Sequence, residues 1–139
     1  NISTIACSSM EFGYRHSILE EHDGIVLSVV FHLTPKPQEE IRERMAELMN
    51  KRKTSQPLDL PSAGSAFKRP VGGFAAALID QAGLKGFQIG GAAVSEKHAG
   101  FVVNKGGATA LDVQNLLKEV SERVLAAFGI RLEPEVRIW

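Results

Sequence analysis

The sequence has 139 residues, of which 44% are hydrophobic and 23% are charged, a composition typical of a globular domain with a buried core. The 16 basic residues balance the 16 acidic residues, which argues against binding of bulk polyanions through overall charge. The one cysteine excludes an internal disulfide framework, and no apolar run approaches the about 20 residues that span a bilayer, so we expect a cytoplasmic protein.

The two ends of the sequence resemble cuts through a longer protein. The sequence begins at Asn1 without a methionine, and it ends at Trp139 directly after an extended run. We therefore expect a longer polypeptide, although processing or disordered termini would leave similar ends.

The first predicted element is a strand at residues 25–34 (IVLSVVFHLT). β-branched residues are frequent in it and apolar residues occupy both faces, as in a strand buried within a sheet. A turn at Asp23-Gly24 leads into this strand. Pro35 and Pro37 then break the chain, which predicts a domain boundary.

An amphipathic helix is predicted from Gln38 to Met49. Its apolar stripe consists of Ile41, Met45, Leu48 and Met49. Residues 50–72 follow, rich in Lys, Arg, Ser, Pro and Gly, and a loop of this length is more often functional than a simple connector.

The remaining sequence predicts short elements around a sheet. A helix is predicted from Phe74 to Ala82, closed by Gly83, and strands are predicted at 87–94 and 100–103. A second helix is predicted from Leu111 to Phe128, capped by Thr109 and ended by Gly129. A final strand is predicted at 132–139. This mixture of helices and strands predicts an α+β fold.

The most distinctive polar segment runs from Pro61 to Pro70 (PSAGSAFKRP). Gly64 permits a positive φ or a close backbone approach, and Ser65 beside it can donate a hydrogen bond or a proton. Two cations follow, Lys68 and Arg69. A Ser/Gly turn with solvated charges explains the same composition, and no G-x-S-x-G elbow supports a serine hydrolase.

Other polar residues give weaker signals. The spacing of known phosphate-binding loops is absent from the pairs Gly90-Gly91 and Gly106-Gly107. The spacing of zinc ligands is absent from the four histidines and one cysteine. Several basic residues could bind a diphosphate or lie on a solvated face. They are Lys51, Arg52, Lys53, Lys68, Arg69 and Lys85.

Taken in order, these segments resemble the UDP-N-acetylenolpyruvoylglucosamine reductase family. The matching segments are Gly13 to Ser17, Pro61 to Pro70, Ala82 to Gly86, Ile89 to Ala92, Ser95 to Phe101, Asn104, Gly107 to Ala110, Asp112-Val113 and Leu132 to Val136. Each segment alone is a modest signal, but the ordered series covers nearly the whole chain. The 50–72 loop and the turn at 95–100 resemble the shorter, second type of the family.

The resemblance implies a flavoenzyme of peptidoglycan precursor synthesis. In the family, NADPH reduces a bound FAD, and hydride then passes to the enolpyruvyl C3 of UDP-N-acetylglucosamine enolpyruvate. Protonation at C2 gives UDP-N-acetylmuramate. By resemblance, Arg15 polarises the substrate carboxylate, Ser65 donates the proton and Glu135 assists that transfer.

The resemblance also implies residues that bind the substrate. His98 stands at a family substrate-contact position, and Tyr14 precedes the arginine of the reaction. Weaker candidates for the diphosphate and the neighbouring polar groups are Arg52, Lys53, Lys68 and Lys85. Two departures from the family are Arg69, where many relatives have Asn, and the absence of the tyrosine-bearing loop of the longer type.

The family's FAD-binding region lies mostly upstream of this sequence. We therefore expect residues 1–35 to end the FAD-binding domain, residues 36–130 to form the substrate-binding domain, and residues 131–139 to form a strand that returns to the active site. The expected partners are the missing FAD-binding portion and the small-molecule substrate, with neither nucleic acid nor membrane.

Two other functions explain part of the sequence. A non-catalytic domain that binds a nucleotide sugar or another anionic ligand would use the 50–72 loop and the lysines, but it would need neither Arg15 nor Glu135. A structural or interaction domain would explain the helices, but not three polar motifs at breaks in the fold.

Overall fold

A computed structural model describes residues 2–22 and 24–138 of the chain. Asp23, in the predicted turn, and Trp139, at the end of the predicted last strand, lie outside the described residues. The chain forms two compact units, Asn1–Lys36 and Pro37–Trp139.

The first unit contains two short 3₁₀-helices, at Cys7–Ser9 and Ile18–Glu20. The prediction of a buried strand at residues 25–34 is wrong. Residues 24–36 form neither helix nor strand, and their apolar side chains are exposed, with Ile25 at 88% and Val30 at 95%. A strand needs a neighbour to pair its backbone N–H and C=O groups, and the described residues of this unit provide no neighbouring strand for it.

The second unit begins with helix α1, Gln38–Ser55. It is longer than predicted, and its last turn is closed by the N–H of Gln56, which donates to the carbonyl of Arg52. Its surface carries ion pairs at helical spacing. The hydrogen bond from Lys51 is the largest cause that lowers the pKa of Glu47, and the hydrogen bond from Arg44 is the second. None of its residues is buried. The helix is therefore held by local interactions rather than by core packing.

The second unit contains a four-stranded antiparallel sheet in the order β1-β4-β3-β2. The strands are β1 Ser62–Ser65, β2 Gln88–Ile89, β3 Ala92–Val94 and β4 Phe101–Asn104. One continuous strand was predicted at 87–94, but the chain forms a hairpin there, because Gly90 adopts a φ of 53°. The predicted strand at 100–103 is confirmed by β4.

Helix α3, Ala110–Phe128, packs against this sheet. Helix α2, Ala75–Gln81, packs against α3. Together these elements form the predicted α+β fold. The predicted ends are confirmed: Gly83 and Gly129 adopt φ values of 70° and 71°, and the side chain of Thr109 caps α3 in a reciprocal capping box with Asp112. Among the described helices, none is both long and apolar enough to cross a bilayer.

The core lies between α2, α3 and the sheet. Its most deeply buried large side chains are Ile79, Val94, Val103, Leu116, Val120 and Val124. Leu132, which follows α3, is also buried, with 2% exposure. The prediction of a strand over 132–139 is wrong for the part that the structure describes, because residues 132–138 form only an isolated bridge, between Pro134 and Phe67. Pro134 has no N–H to continue a ladder.

Candidate functional site

Strand β1 carries Ser65 at its end, after an irregularity at Gly64. Gly64 adopts a φ of 91°, and its N–H donates to the Oγ of Ser62 at 3.0 Å. The register with β4 shifts between Ser62 and Ser65. The Ser65 side chain is exposed, and its hydroxyl donates to the carbonyl of Phe67 at 3.2 Å. A rotation about its side-chain bond would therefore free the hydroxyl to form another hydrogen bond.

The segment after Leu132 runs antiparallel to the residues that follow β1. The N–H of Lys68 donates to the carbonyl of Glu133 at 2.9 Å, and the N–H of Glu135 donates to the carbonyl of Ala66, also at 2.9 Å. The bridge between Phe67 and Pro134 lies between these two bonds. The backbone of Glu135 therefore lies beside Ala66, the residue next to Ser65.

The Glu135 side chain is half-buried, and its Oε2 atom is shielded from solvent. Glu133 has a different environment, because it is exposed and forms an ion pair with Lys68. Of the two acidic residues beside β1, Glu135 is thus the one withdrawn from bulk water.

The predicted diphosphate-binding cations have different partners. The ammonium of Lys85 forms an ion pair with Asp80 at 2.6 Å, whereas the guanidinium of Arg52 donates to the neutral amide of Gln56 at 3.3 Å. The carbonyl of Lys53 accepts a hydrogen bond from the Lys97 ammonium.

Lys53 also lines a cavity of about 600 Å³ next to the end of α1 and the turn between β3 and β4. Its lining residues are Lys53, Pro57, Leu58, Asp59, Leu60, Ser95, Glu96, Lys97, Val103 and Lys105. Neither Ser65 nor Glu135 lines this cavity.

His98 lies in the turn before β4, the strand that pairs with β1. Its Nδ1 accepts a hydrogen bond from the N–H of Gly100 at 3.1 Å, and its ring packs edge-on against Phe101 at a centroid distance of 4.9 Å. Phe101 pairs with Ser65 across the sheet. A neutral imidazole that accepts at Nδ1 carries its proton at Nε2, so His98 can donate a hydrogen bond from that atom.

Arg15 belongs to the first unit and lies at the tip of a tight turn. The backbones of Gly13 and His16 exchange two hydrogen bonds, at 3.0 and 3.3 Å, which leaves Tyr14 and Arg15 between them. Arg15 adopts a φ of 55°, and its guanidinium lies 5.5 Å from the centre of the Tyr14 ring. A left-handed backbone at a residue other than glycine is uncommon and recurs at functional sites.

Sequence analysis missed Ser121, which is buried in α3. Its hydroxyl donates to the carbonyl of Leu132 at 2.8 Å. The available signal was a hydroxyl on an otherwise apolar helix face, four residues after Leu117 and three before Val124. Such a pattern does not identify the acceptor, because Leu132 lies outside the helix.

The comparisons with known proteins bear on the same residues. The family model described as UDP-N-acetylenolpyruvoylglucosamine reductase, C-terminal domain, matches residues 56–139, which is more than half of the chain. The chain belongs to this family. The resemblance noted from the ordered motifs is therefore confirmed.

Individual relatives give the same result. The UDP-N-acetylenolpyruvoylglucosamine reductase of Agathobacter rectalis is 56% identical over 137 residues, which cover 99% of this chain and 44% of the relative. The enzyme of that name from Latilactobacillus sakei is 53% identical, with coverages of 99% and 45%. The chain thus spans less than half the length of these relatives.

A solved structure confirms the fold. The crystal structure of UDP-N-acetylenolpyruvylglucosamine reductase (MurB) from Thermus caldophilus matches with a TM-score of 0.77 and 44% identity. The match covers 94% of this chain and 47% of that chain. The α+β architecture is therefore that of this reductase family.

The Gly90-Gly91 pair of this family member is closed by packing, whereas nothing lies within 4 Å of a Cβ added to Gly106 or Gly107. A Cβ on Gly91 would lie 2.4 Å from the N of Ala108 and from the O of Gly106, and one on Gly90 would lie 2.4 Å from the Asp112 carboxylate. Backbone and helix N-terminus therefore already fill the space beside these glycines, and the turn does not form an open cradle for a dinucleotide. Within residues 2–22 and 24–138, no cluster of three or more His, Cys, Asp or Glu side chains is arranged to hold a metal ion.

Proposed function

We propose that this chain is the substrate-handling part of a UDP-N-acetylmuramate dehydrogenase. The complete enzyme would use NADPH to reduce UDP-N-acetylglucosamine enolpyruvate to UDP-N-acetylmuramate, in the synthesis of peptidoglycan precursors. The observation that carries this proposal is the antiparallel pairing of residues 66–68 with residues 133–135, because it places the backbone of Glu135 beside Ala66, the residue next to Ser65.

The cofactor of the proposed reaction is FAD, which supplies the hydride when it is bound. The residues around Gly90-Gly91 do not fit a dinucleotide, since packing fills the space beside them. We therefore assign FAD binding to the portion of the protein outside this chain, completed by residues 1–35. The exposed apolar run at 25–33 supports that assignment, because it would gain strand partners there.

The same proposal divides the rest of the chain by role. Residues 36–130 form the substrate-binding domain, and residues 131–139 return to the active site. We also propose a cytoplasmic location, because Cys7 is an exposed free thiol, which suits a reducing compartment.

Arg15 acts on the substrate carboxylate in this proposal. Hydride addition at C3 moves electron density toward that carboxylate, and a cation placed there lowers the barrier by neutralising the developing charge. A guanidinium can bind a carboxylate through two parallel hydrogen bonds. The turn between Gly13 and His16 supports this role, because it holds Arg15 in a defined backbone conformation.

Ser65 donates the proton to C2, and Glu135 assists that transfer. A serine hydroxyl is a weak acid at neutral pH, so the oxygen needs neighbours that stabilise it as the proton leaves. The support for Glu135 is its position, because its backbone pairs with Ala66, the residue next to Ser65. Lys68 lies three residues after Ser65, and its ion pair with Glu133 keeps a cation on the same segment.

The remaining candidates bind the substrate. His98 would donate from Nε2, and Tyr14 would contact the substrate beside Arg15. Among the candidates for the diphosphate, Arg52 is favoured over Lys85, because the bonding partner of Arg52 is a neutral amide while Lys85 is already neutralised by Asp80. Lys53 and Lys68 complete the proposed set.

The test is NADPH oxidation by a full-length protein that carries this sequence. UDP-N-acetylglucosamine enolpyruvate should stimulate the oxidation, and the flavin absorbance should bleach with NADPH and recover when substrate is added. A colourless protein that ignores NADPH but binds the nucleotide sugar would instead support the non-catalytic binding domain.

A further inference from the structure

We propose that Ser121 is a positioning residue that holds Glu135 in place beside Ala66, the residue next to Ser65. This inference rests on the proposed function, because it gives Glu135 a part in proton transfer. Ser121 is 8% exposed, and its hydroxyl donates to the carbonyl of Leu132 at 2.8 Å. The bond therefore ties the middle of α3 to the segment that carries Glu135.

The segment from Leu132 to Glu135 is held on two sides. On the α3 side, Ser121 bonds the Leu132 carbonyl, and the Leu132 side chain is buried in the core. On the β1 side, the N–H of Glu135 bonds the carbonyl of Ala66. Glu135 is thus placed by anchors at Leu132 and at Glu135 itself, and the bond from the Lys68 N–H to the Glu133 carbonyl lies between them.

Pro134 makes the link between these anchors stiff. Its ring fixes φ near −65°, and a residue before proline is restricted to extended conformations, which limits Glu133. With so few free torsions between Leu132 and Glu135, a shift of the Leu132 carbonyl is passed on to Glu135. Ser121 therefore controls the Glu135 position although it lies outside the site.

Ser121 is a stronger anchor than the Lys68–Glu133 ion pair of the same segment. The side chains of that pair are 38% and 69% exposed, and exposed ion pairs contribute little because water and salt screen them. The Ser121 hydroxyl is buried on an apolar face, where a hydroxyl is unfavourable unless it is hydrogen-bonded. Replacing it would leave the Leu132 carbonyl without this donor.

The experiment compares three variants of the full-length holoenzyme by stopped-flow absorbance. Ser121→Ala removes the hydroxyl, Ser121→Thr keeps it, and Ile79→Val removes one buried methyl group from α2 without touching the bond. We expect Ser121→Ala to slow flavin reoxidation by UDP-N-acetylglucosamine enolpyruvate by about 10-fold, less than the about 100-fold that a 1 Å misplacement costs. Flavin reduction by NADPH should stay within about two-fold of wild type, and Ser121→Thr should recover most of the reoxidation rate.

A second readout does not depend on turnover. Hydrogen exchange at the Glu135 amide should be faster in Ser121→Ala than in Ile79→Val, because that amide closes the bond to Ala66. Equal slowing of both half-reactions, equal effects of Ser121→Ala and Ile79→Val, or no recovery with Ser121→Thr would each overturn the positioning role.

Two further variants separate this inference from the proposed function. If Ser65→Ala and Glu135→Gln both leave reoxidation at the wild-type rate, the proposed site is wrong and the role of Ser121 is overturned with it. If those variants slow reoxidation but Ser121→Ala does not, only the positioning role fails.

Discussion

The Ser65 hydroxyl is held by the carbonyl of Phe67 at 3.2 Å, a neutral acceptor that it can leave by rotation. Ser65→Ala should therefore remove the proton donor without disturbing the backbone pairing of β1. We expect the turnover of the full-length enzyme to fall by about 10²–10⁴-fold, while flavin reduction by NADPH stays close to wild type. Separate measurement of the two half-reactions checks this, and an equal loss in both would remove Ser65 from the role of proton donor.

Arg15 combines a charge with a left-handed backbone, at a φ of 55°. Arg15→Ala should raise KM and lower kcat, because the substrate carboxylate loses its partner in the ground state and in the transition state. Arg15→Gly is the matched control for the turn, since glycine adopts a positive φ without strain and also lacks the guanidinium. Steady-state kinetics that are normal in Arg15→Ala would exclude Arg15 from the site.

At the scale of the elements, the N-terminus of α3 depends on one carboxylate. The hydrogen bond from the backbone N–H of Thr109 is the largest cause that lowers the pKa of Asp112 below the usual 3.8. The hydrogen bond with the Thr109 side chain is the second cause. A carboxyl whose pKa is lower in the folded than in the unfolded state stabilises the fold at pH values above its unfolded-state pKa. That stability is lost as the pH falls through its folded-state pKa. Asp112→Ala should thus lower Tm at pH 7 and flatten the decline of Tm below about pH 4. Thr109→Ser, which keeps the cap, should preserve the wild-type profile.

Gly91 permits the hairpin between β2 and β3 to approach the loop before α3. A Cβ there would lie 2.4 Å from the N of Ala108 and from the O of Gly106, and backbone atoms cannot move aside as the end of a flexible side chain can. Gly91→Ala should lower the free energy of unfolding by about 1–3 kcal/mol. Gly73→Ala is the control, because nothing lies within 4 Å of its added Cβ. Similar urea midpoints for the two variants would contradict this account.

Local sequence signals predicted some elements well and others poorly. Helix α3 was predicted because apolar spacing, the Thr109 cap and the Gly129 end agree. The run at 87–94 predicts one strand because most of its residues are apolar, and the turn within it is explained by the positive φ of Gly90. The run at 25–34 has the composition of a buried strand, but composition does not supply a pairing partner.

The candidate site was less accessible to local analysis. Ser65 and Glu135 were identified through the family resemblance rather than from spacing, and those assignments stay predictions. The pairing that places Glu135 beside Ala66 links distant parts of the chain, such as Lys68 and Glu133, which are 65 residues apart. Ser121 gave no usable signal, because its partner is a backbone carbonyl.

At the scale of the whole molecule, the chain covers 44% of the length of its Agathobacter relative and exposes a long apolar run in its first unit. Large exposed apolar surfaces normally mark sites of association. The isolated 139-residue chain should therefore bind the dye ANS and self-associate, and a full-length protein should do neither. Fluorescence and sedimentation velocity measure this, and equal dye binding per mole in both proteins would show that the run stays exposed in the longer chain.

The pairing of Lys68 with Glu133 also has a kinetic consequence. Contacts between segments so far apart in sequence form late in folding, because the loop between them must first be closed at a cost in entropy. The hairpin, α2 and α3 all lie within that loop. During refolding, far-ultraviolet circular dichroism should therefore return before substrate turnover, since the segment that carries Glu135 can pair with the residues after β1 only once the intervening polypeptide is in place.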